Sequence, residues 1–154
     1  MSERRSRPGT GEGSRIAATL PDLGVVAVGG AVGSLARHLL SIAIGSSGDF
    51  PLAIFVINVC GAFLLGLLVE VVAQAGGEGG RWRTTRLLLG TGALGGFTTY
   101  SLLAADLAEL LLDGAFGVAA LYAVLTLVLG GAASWCGVLA GRMIGPSSAR
   151  GAER

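Results

Sequence analysis

The 154-residue chain contains no lysine, a single histidine and two cysteines, and only 14% of its residues are charged and 6% aromatic. Each scarcity removes a class of function. A formal net charge of +1 gives no electrostatic footprint for nucleic acid. Cys60 and Cys136 both lie in apolar runs and read as small buried hydrophobes, so neither a disulfide nor a thiolate metal site is expected. No nucleophile–base pair or cluster of metal-ligating side chains stands out, so the chain does not read as an enzyme. The first twenty residues lack the apolar core of a signal peptide.

What the chain has in quantity is apolar surface and glycine: 52% hydrophobic residues and 27 glycines, many inside the apolar runs. That composition belongs to a membrane protein with closely packed helices. Residues 1–20 are polar, carry Arg4, Arg5, Arg7 and Arg15, and read as a disordered tail, with Pro21 and Asp22 as the helix start. Four apolar runs follow, at about 23–44, 51–73, 86–112 and 115–141, each long enough to cross a hydrocarbon core of about 30 Å. The expectation is an all-α membrane protein with one four-helix domain over 21–144 and a second tail over 145–154. Short connections at 45–49 and 113–114 predict that helices 1 and 2, and helices 3 and 4, are neighbours.

Arginine sets the orientation. Ten of the eleven fall on one face: four in the N-terminal tail, Arg81, Arg83 and Arg86 in the loop between helices 2 and 3 and its flank, and Arg142, Arg150 and Arg154 at the C-terminal end; the eleventh, Arg37, lies within helix 1. Both termini are therefore expected in the cytoplasm, with a single direction of insertion into a cell membrane.

Polar residues inside the spans are the candidate functional groups, because lipid leaves them unpaired. In helix 3 the stretch Gly95-Gly96-Phe97-Thr98-Thr99-Tyr100-Ser101 combines poor helix formers with three aliphatic hydroxyls and a phenol in four residues, and predicts a break near the middle of that span. In helix 1, Gly29, Gly33 and Arg37 share a face; Arg37 either snorkels to the interface or attracts anions at a pore mouth. Asn58 in helix 2 is either interhelical glue or a donor lining a narrow anion path. Glu70 reads as a solvated residue near the end of helix 2. Asp106 is expected to pair with Arg37. Tyr122, Thr126, Gly130 and Ser134, four apart, form a polar stripe on helix 4.

Gly29-Gly30-x-x-Gly33-x-x-x-Arg37, then Asn58-x-x-Gly61-x-Phe63-x-x-Gly66, then Gly92-x-x-Gly95-Gly96-Phe97-Thr98-Thr99-Tyr100-Ser101 occur in this order on three successive spans. In this pattern the chain resembles the Fluc (CrcB) fluoride channels over about residues 23–142. The resemblance implies an antiparallel dimer in a bacterial membrane with two narrow pores. It implies passive, selective export of fluoride that entered as HF, and a structural sodium ion at the dimer centre. Carried over, the sodium ligands are the backbone carbonyls of Gly95 and Thr98. The anion path comprises Asn58, Tyr100, Ser101, Leu103, Tyr122 and Thr126, and Arg37 and Asp106 are vestibule or structural charges.

Four positions depart from the family pattern, among them Leu102 and Ala104, where threonine and serine are common. Where the family usually places two phenylalanines three residues apart, this chain has Tyr100 and Leu103, and Leu103 has no polarised ring edge. The one-sided arginine distribution is also at odds with a homodimer that inserts in both orientations. The expected partner is therefore an oppositely oriented paralogue, with a homodimer as the alternative. A non-conducting accessory subunit is the second reading of function. A small multidrug–proton exporter is the third, although helix 1 lacks the carboxylate it would need between residues 23 and 44.

Overall fold

The computed structural model describes residues 11–45, 48, 50–75 and 80–144, and every described element is helical. The elements are α1 (Gly11–Ile44), α2 (Leu52–Gln74), α3 (Gly80–Thr85), a π-helical segment (Arg86–Leu94), α4 (Gly95–Phe97), α5 (Tyr100–Leu112) and α6 (Phe116–Ile144). Among them run four stretches long and apolar enough to cross a membrane: Thr19–Ile44, Leu52–Gln74, Arg81–Leu112 and Phe116–Ile144.

The helix start expected at Pro21 lies inside α1, which begins at Gly11, so residues 11–20 are helical. Proline costs one backbone hydrogen bond there, and Ile16, Ala17, Ala18 and Leu20 around it are adequate helix formers. Residues 1–10 and 145–154 of the two tails lie outside the described residues.

Small-residue faces decide the packing. α1 packs most extensively on the π-helical segment and α4, and α2 on α6, whereas the sequential pairs α1–α2 and α5–α6 touch less. The two pairs expected as neighbours from their short connections are in contact, but the most extensive packing is between helices distant in sequence. On α1, a Cβ added at Gly33 would overlap the Ala93 carbonyl oxygen, and one added at Gly29 the Leu88 carbonyl oxygen. Between α2 and α6, an added Cβ at Gly66 would overlap the Ser134 carbonyl oxygen, and one at Gly137 the Phe63 carbonyl oxygen. Lipid offers no hydrophobic drive for helix association, so this backbone-to-backbone approach supplies the attraction through dispersion. It also explains why Gly29 and Gly33 recur at helical spacing.

The chain turns from α5 into α6 through Gly114 at φ +74°, and the Ala115 N–H reaches back to the Leu110 carbonyl at 2.8 Å. That closure ends α5 within one residue of its last turn and requires the left-handed backbone that glycine adopts freely.

The arginine-bearing end is tied by polar contacts. Arg83 forms a two-point ion pair with Asp22. Gln74 donates to Glu70 Oε1 at 2.9 Å and to the Gly141 carbonyl at 3.2 Å, and Arg142 lies 3.5 Å from Glu70. Glu70, expected as a solvated residue, also meets two partners. Cys60 and Cys136 are exposed rather than buried. On the same logic Val28, Val32, Leu35, Leu39 and Ile42, all on α1, are between 58% and 65% exposed. Apolar groups turned outward lose nothing when the solvent is hydrocarbon.

Candidate functional site

Helical geometry lapses in the middle of the third span. Thr98 (φ −76°, ψ 154°) and Thr99 (φ −150°, ψ 120°) are extended between α4 and α5. Backbone groups released at membrane depth need partners from the protein, since each unsatisfied group costs several kcal/mol there. Asn58 on α2 supplies two of them. Its Oδ1 accepts the Thr99 N–H at 2.9 Å, and its Nδ2 donates to the Thr99 carbonyl at 3.1 Å. Gly61, one turn further along α2, has no side chain at the place where the Thr98 methyl lies.

Further bonds organise the pair. Thr98 Oγ1 and N both donate to the Leu94 carbonyl, each at 2.9 Å. Ser34 on α1 donates to the Gly96 carbonyl at 3.3 Å. Thr99 Oγ1 caps α5 by accepting the Leu102 N–H at 3.2 Å, and lies 3.1 Å from Ser101 Oγ. In an unbroken helix, the Gly95 carbonyl would take the Thr99 N–H and the Thr98 carbonyl the Leu102 N–H. Both of those donors are engaged elsewhere. The chemistry left at Gly95, in the last helical turn before the break, and at Thr98, on extended backbone, is that of neutral carbonyl oxygens, which suit a hard cation.

A second cluster lies on α5 and α6. Tyr122 is fully buried and donates its hydroxyl to Asp106 Oδ2 at 2.9 Å; its ring meets Phe50 edge-on, with centroids 5.4 Å apart. Leu103 packs against the buried group of Leu110, Ala119 and Tyr122. Thr126 is buried and donates to the Tyr122 carbonyl at 2.7 Å. A cavity of about 550 Å³ opens beside this cluster, toward the end opposite the arginines, with Phe50, Pro51, Asp106, Glu109 and Asp113 in its lining.

The candidate residues therefore fall into two groups and two outliers. Asn58 and Ser101 gather around Thr99, next to Gly95 and Thr98. Asp106, Tyr122, Thr126 and Leu103 form the second group. Tyr100 stands apart, 82% exposed, on the outward side of the first turn of α5. Arg37 lies half-buried on α1. The pairing of Arg37 with Asp106 is not formed within the chain: Asp106 takes the Tyr122 hydroxyl instead, because α5 packs on α6, and α1 packs chiefly on the half of the span that precedes Thr98. Thr99, which no motif argument singled out from its neighbours, is the residue through which the first group is connected. Its sequence signal was only that it stands between a threonine and a helix start, where a hydroxyl makes a good cap.

The family described as CrcB-like protein, Camphor Resistance (CrcB), matches residues 24–138. The chain is 47% identical over 121 residues to the fluoride-specific ion channel FluC 2 of Leifsonia xyli subsp. xyli, a match covering 79% of this chain and 83% of that one. It is 40% identical over 126 residues to the fluoride-specific ion channel FluC of Agrobacterium fabrum, covering 79% and 96%. With FluC of Deinococcus radiodurans it shares 41% identity over 125 residues, covering 78% and 91%.

Proposed function

Since the chain belongs to the CrcB family, a family of ion channels rather than enzymes, we propose that it forms a fluoride channel that lowers cytoplasmic fluoride by passive export. The observation that carries this reading is the extended Thr98–Thr99 pair inside a membrane-spanning segment, with Asn58, Ser101 and the threonine hydroxyls gathered on it. Fluoride is small and strongly hydrated, so a pore must replace its water with N–H, O–H and ring-edge donors, yet bind weakly enough to release it. Asn58 spends one of its two N–H bonds on Thr99 and keeps the other for the anion. Tyr100 offers a ring edge and a phenol. Exposed at 82% of its surface near mid-span, it supports a second subunit over this face, because a phenol is costly against lipid.

The second subunit is an oppositely inserted homologue in an antiparallel dimer. The one-sided arginines, with both termini in the cytoplasm, favour a paralogue over a second copy of this chain. The carbonyls of Gly95 and Thr98 would hold a structural sodium ion at the dimer centre, where its charge raises the potential for a nearby anion. Arg37 adds positive charge on the half of the membrane away from the termini.

Reconstitution into liposomes tests the whole reading. Fluoride efflux is expected to be weak from vesicles holding this chain alone and strong when an oppositely oriented homologue is added. Robust efflux from the chain alone would overturn the heterodimer, and absence of efflux in every combination would overturn the channel. One observation favours an accessory role as the second reading: Leu103 is packed into the Tyr122 cluster and has no ring edge to offer. Leu103→Phe should raise efflux through the mixed dimer severalfold if this chain lines a pore of its own. Unchanged efflux assigns it the accessory role.

A further inference from the structure

We propose that Asn58 and Thr99 are positioning residues for the cation site, each holding one of its two carbonyls open by diverting the backbone donor that would otherwise close it. The inference rests on the reading above that Gly95 and Thr98 hold sodium. Asn58 Oδ1 takes the Thr99 N–H at 2.9 Å, and that N–H is the one an unbroken helix would give to the Gly95 carbonyl. Thr99 Oγ1 takes the Leu102 N–H at 3.2 Å, and that N–H is the one the Thr98 carbonyl would receive. The second arm of the Asn58 amide, on the Thr99 carbonyl at 3.1 Å, fixes the extended conformation that separates the two donors from their helical acceptors. The same side chain that faces the anion path is therefore tied to the cation site, and fluoride conduction and sodium affinity share a residue.

The physical drive is strong. Without Asn58, the Thr99 N–H is left unpaired at membrane depth, and its nearest remedy is to return to the Gly95 carbonyl as the next turn of helix. Without the Thr99 hydroxyl, the Leu102 N–H has the same reason to return to the Thr98 carbonyl. Either recapture removes a ligand oxygen. Thr99 is buried, at 7% exposure, and Ser34 and the two Thr98 bonds are independent of both diversions, so the neighbouring backbone stays anchored.

The test uses the channel purified in the assembly in which it leaves the membrane, with thermal unfolding followed as sodium replaces N-methylglucamine at constant ionic strength. Asn58→Ala is expected to shift the sodium midpoint upward about tenfold or more, the size set by recapture of one carbonyl. Thr99→Ala should do the same, and Thr99→Ser, which keeps the acceptor, should retain the wild-type midpoint. An unchanged midpoint in Asn58→Ala with reduced fluoride efflux would overturn the proposal and leave Asn58 an anion ligand alone. Where Asn58→Ala does not fold, the Thr99 pair decides: equal midpoints in Thr99→Ala and Thr99→Ser, shifted or not, would also overturn it. A wild-type channel whose stability ignores sodium refutes the cation reading itself, a result separate from either of these.

Discussion

Replacing Gly33 with valine should leave no folded assembly to assay. The Cβ would overlap the Ala93 carbonyl oxygen, and the neighbouring atoms are backbone, which cannot swing aside as a side chain can. Nor can the helices simply part. Gly29 meets the Leu88 carbonyl and Gly96 meets the Gly30 carbonyl on the same interface, and the Ser34 hydroxyl spans it to Gly96. Lengthening that distance loses dispersion along the whole α1 face, which nothing in lipid replaces. The cost is at least about 3 kcal/mol, the upper end for an overpacked interior. Size-exclusion profiles and thermal unfolding of the detergent-extracted protein measure it. Gly24→Ala is the control: no atom lies within 4 Å of an added Cβ there, and in a helix interior the change should be neutral or stabilising by about 0.5–1 kcal/mol. Wild-type assembly of Gly33→Val would mean that close approach of α1 to the third span is not what holds the bundle together.

Glycine faces were legible in the sequence because they obey helical spacing. Gly29 and Gly33 declare a face, and the structure finds a partner backbone on it. Span number and rough limits were legible for the same reason, as runs of apolar residues between polar punctuation. What was hidden depends on partners distant in sequence or on departures from regular geometry. The π-helical segment Arg86–Leu94, with the Gly95 N–H bonded to the Gly90 carbonyl, changes the phase of the third span just before Thr98. A regular period of 3.6 residues per turn carries no trace of that shift. Asn58 read as either glue or pore donor because an amide serves both uses, and only its distances to Thr99 show that its acceptor is occupied. Glu70 looked solvated because Gln74 and Arg142 reach it from one turn away and from another helix. The assignment of Asp106 to Arg37 failed for a similar reason: charge complementarity was visible in the sequence, but the packing of α5 on α6 was not.

Tyr122→Ala should destabilise the protein by about 2–4 kcal/mol, since it empties a fully buried ring site and removes the edge contact to Phe50. Tyr122→Phe isolates the polar part. The ring and its contacts stay, and the half-buried Asp106 carboxylate loses its hydroxyl donor, at about 1.5–3 kcal/mol for a hydrogen bond to a charged group. Asp106→Asn keeps an acceptor for the same hydroxyl and should cost less. If the bond is the shared interaction, Tyr122→Phe combined with Asp106→Ala should cost less than the sum of the two single changes, with a coupling of about 1–2 kcal/mol. Asp106→Asn combined with Arg37→Gln should instead be additive within about 0.5 kcal/mol, because the two side chains share no contact within the chain. Unfolding free energies of the reconstituted or detergent-solubilised variants supply both cycles. Strict additivity in the first cycle with coupling in the second would return Asp106 to Arg37, across the interface with the partner subunit, since the structure assigns that carboxylate to Tyr122 within one chain. Which of the two cycles shows coupling thus separates a bond that fixes the wall of one subunit from a charge pair that holds two subunits together.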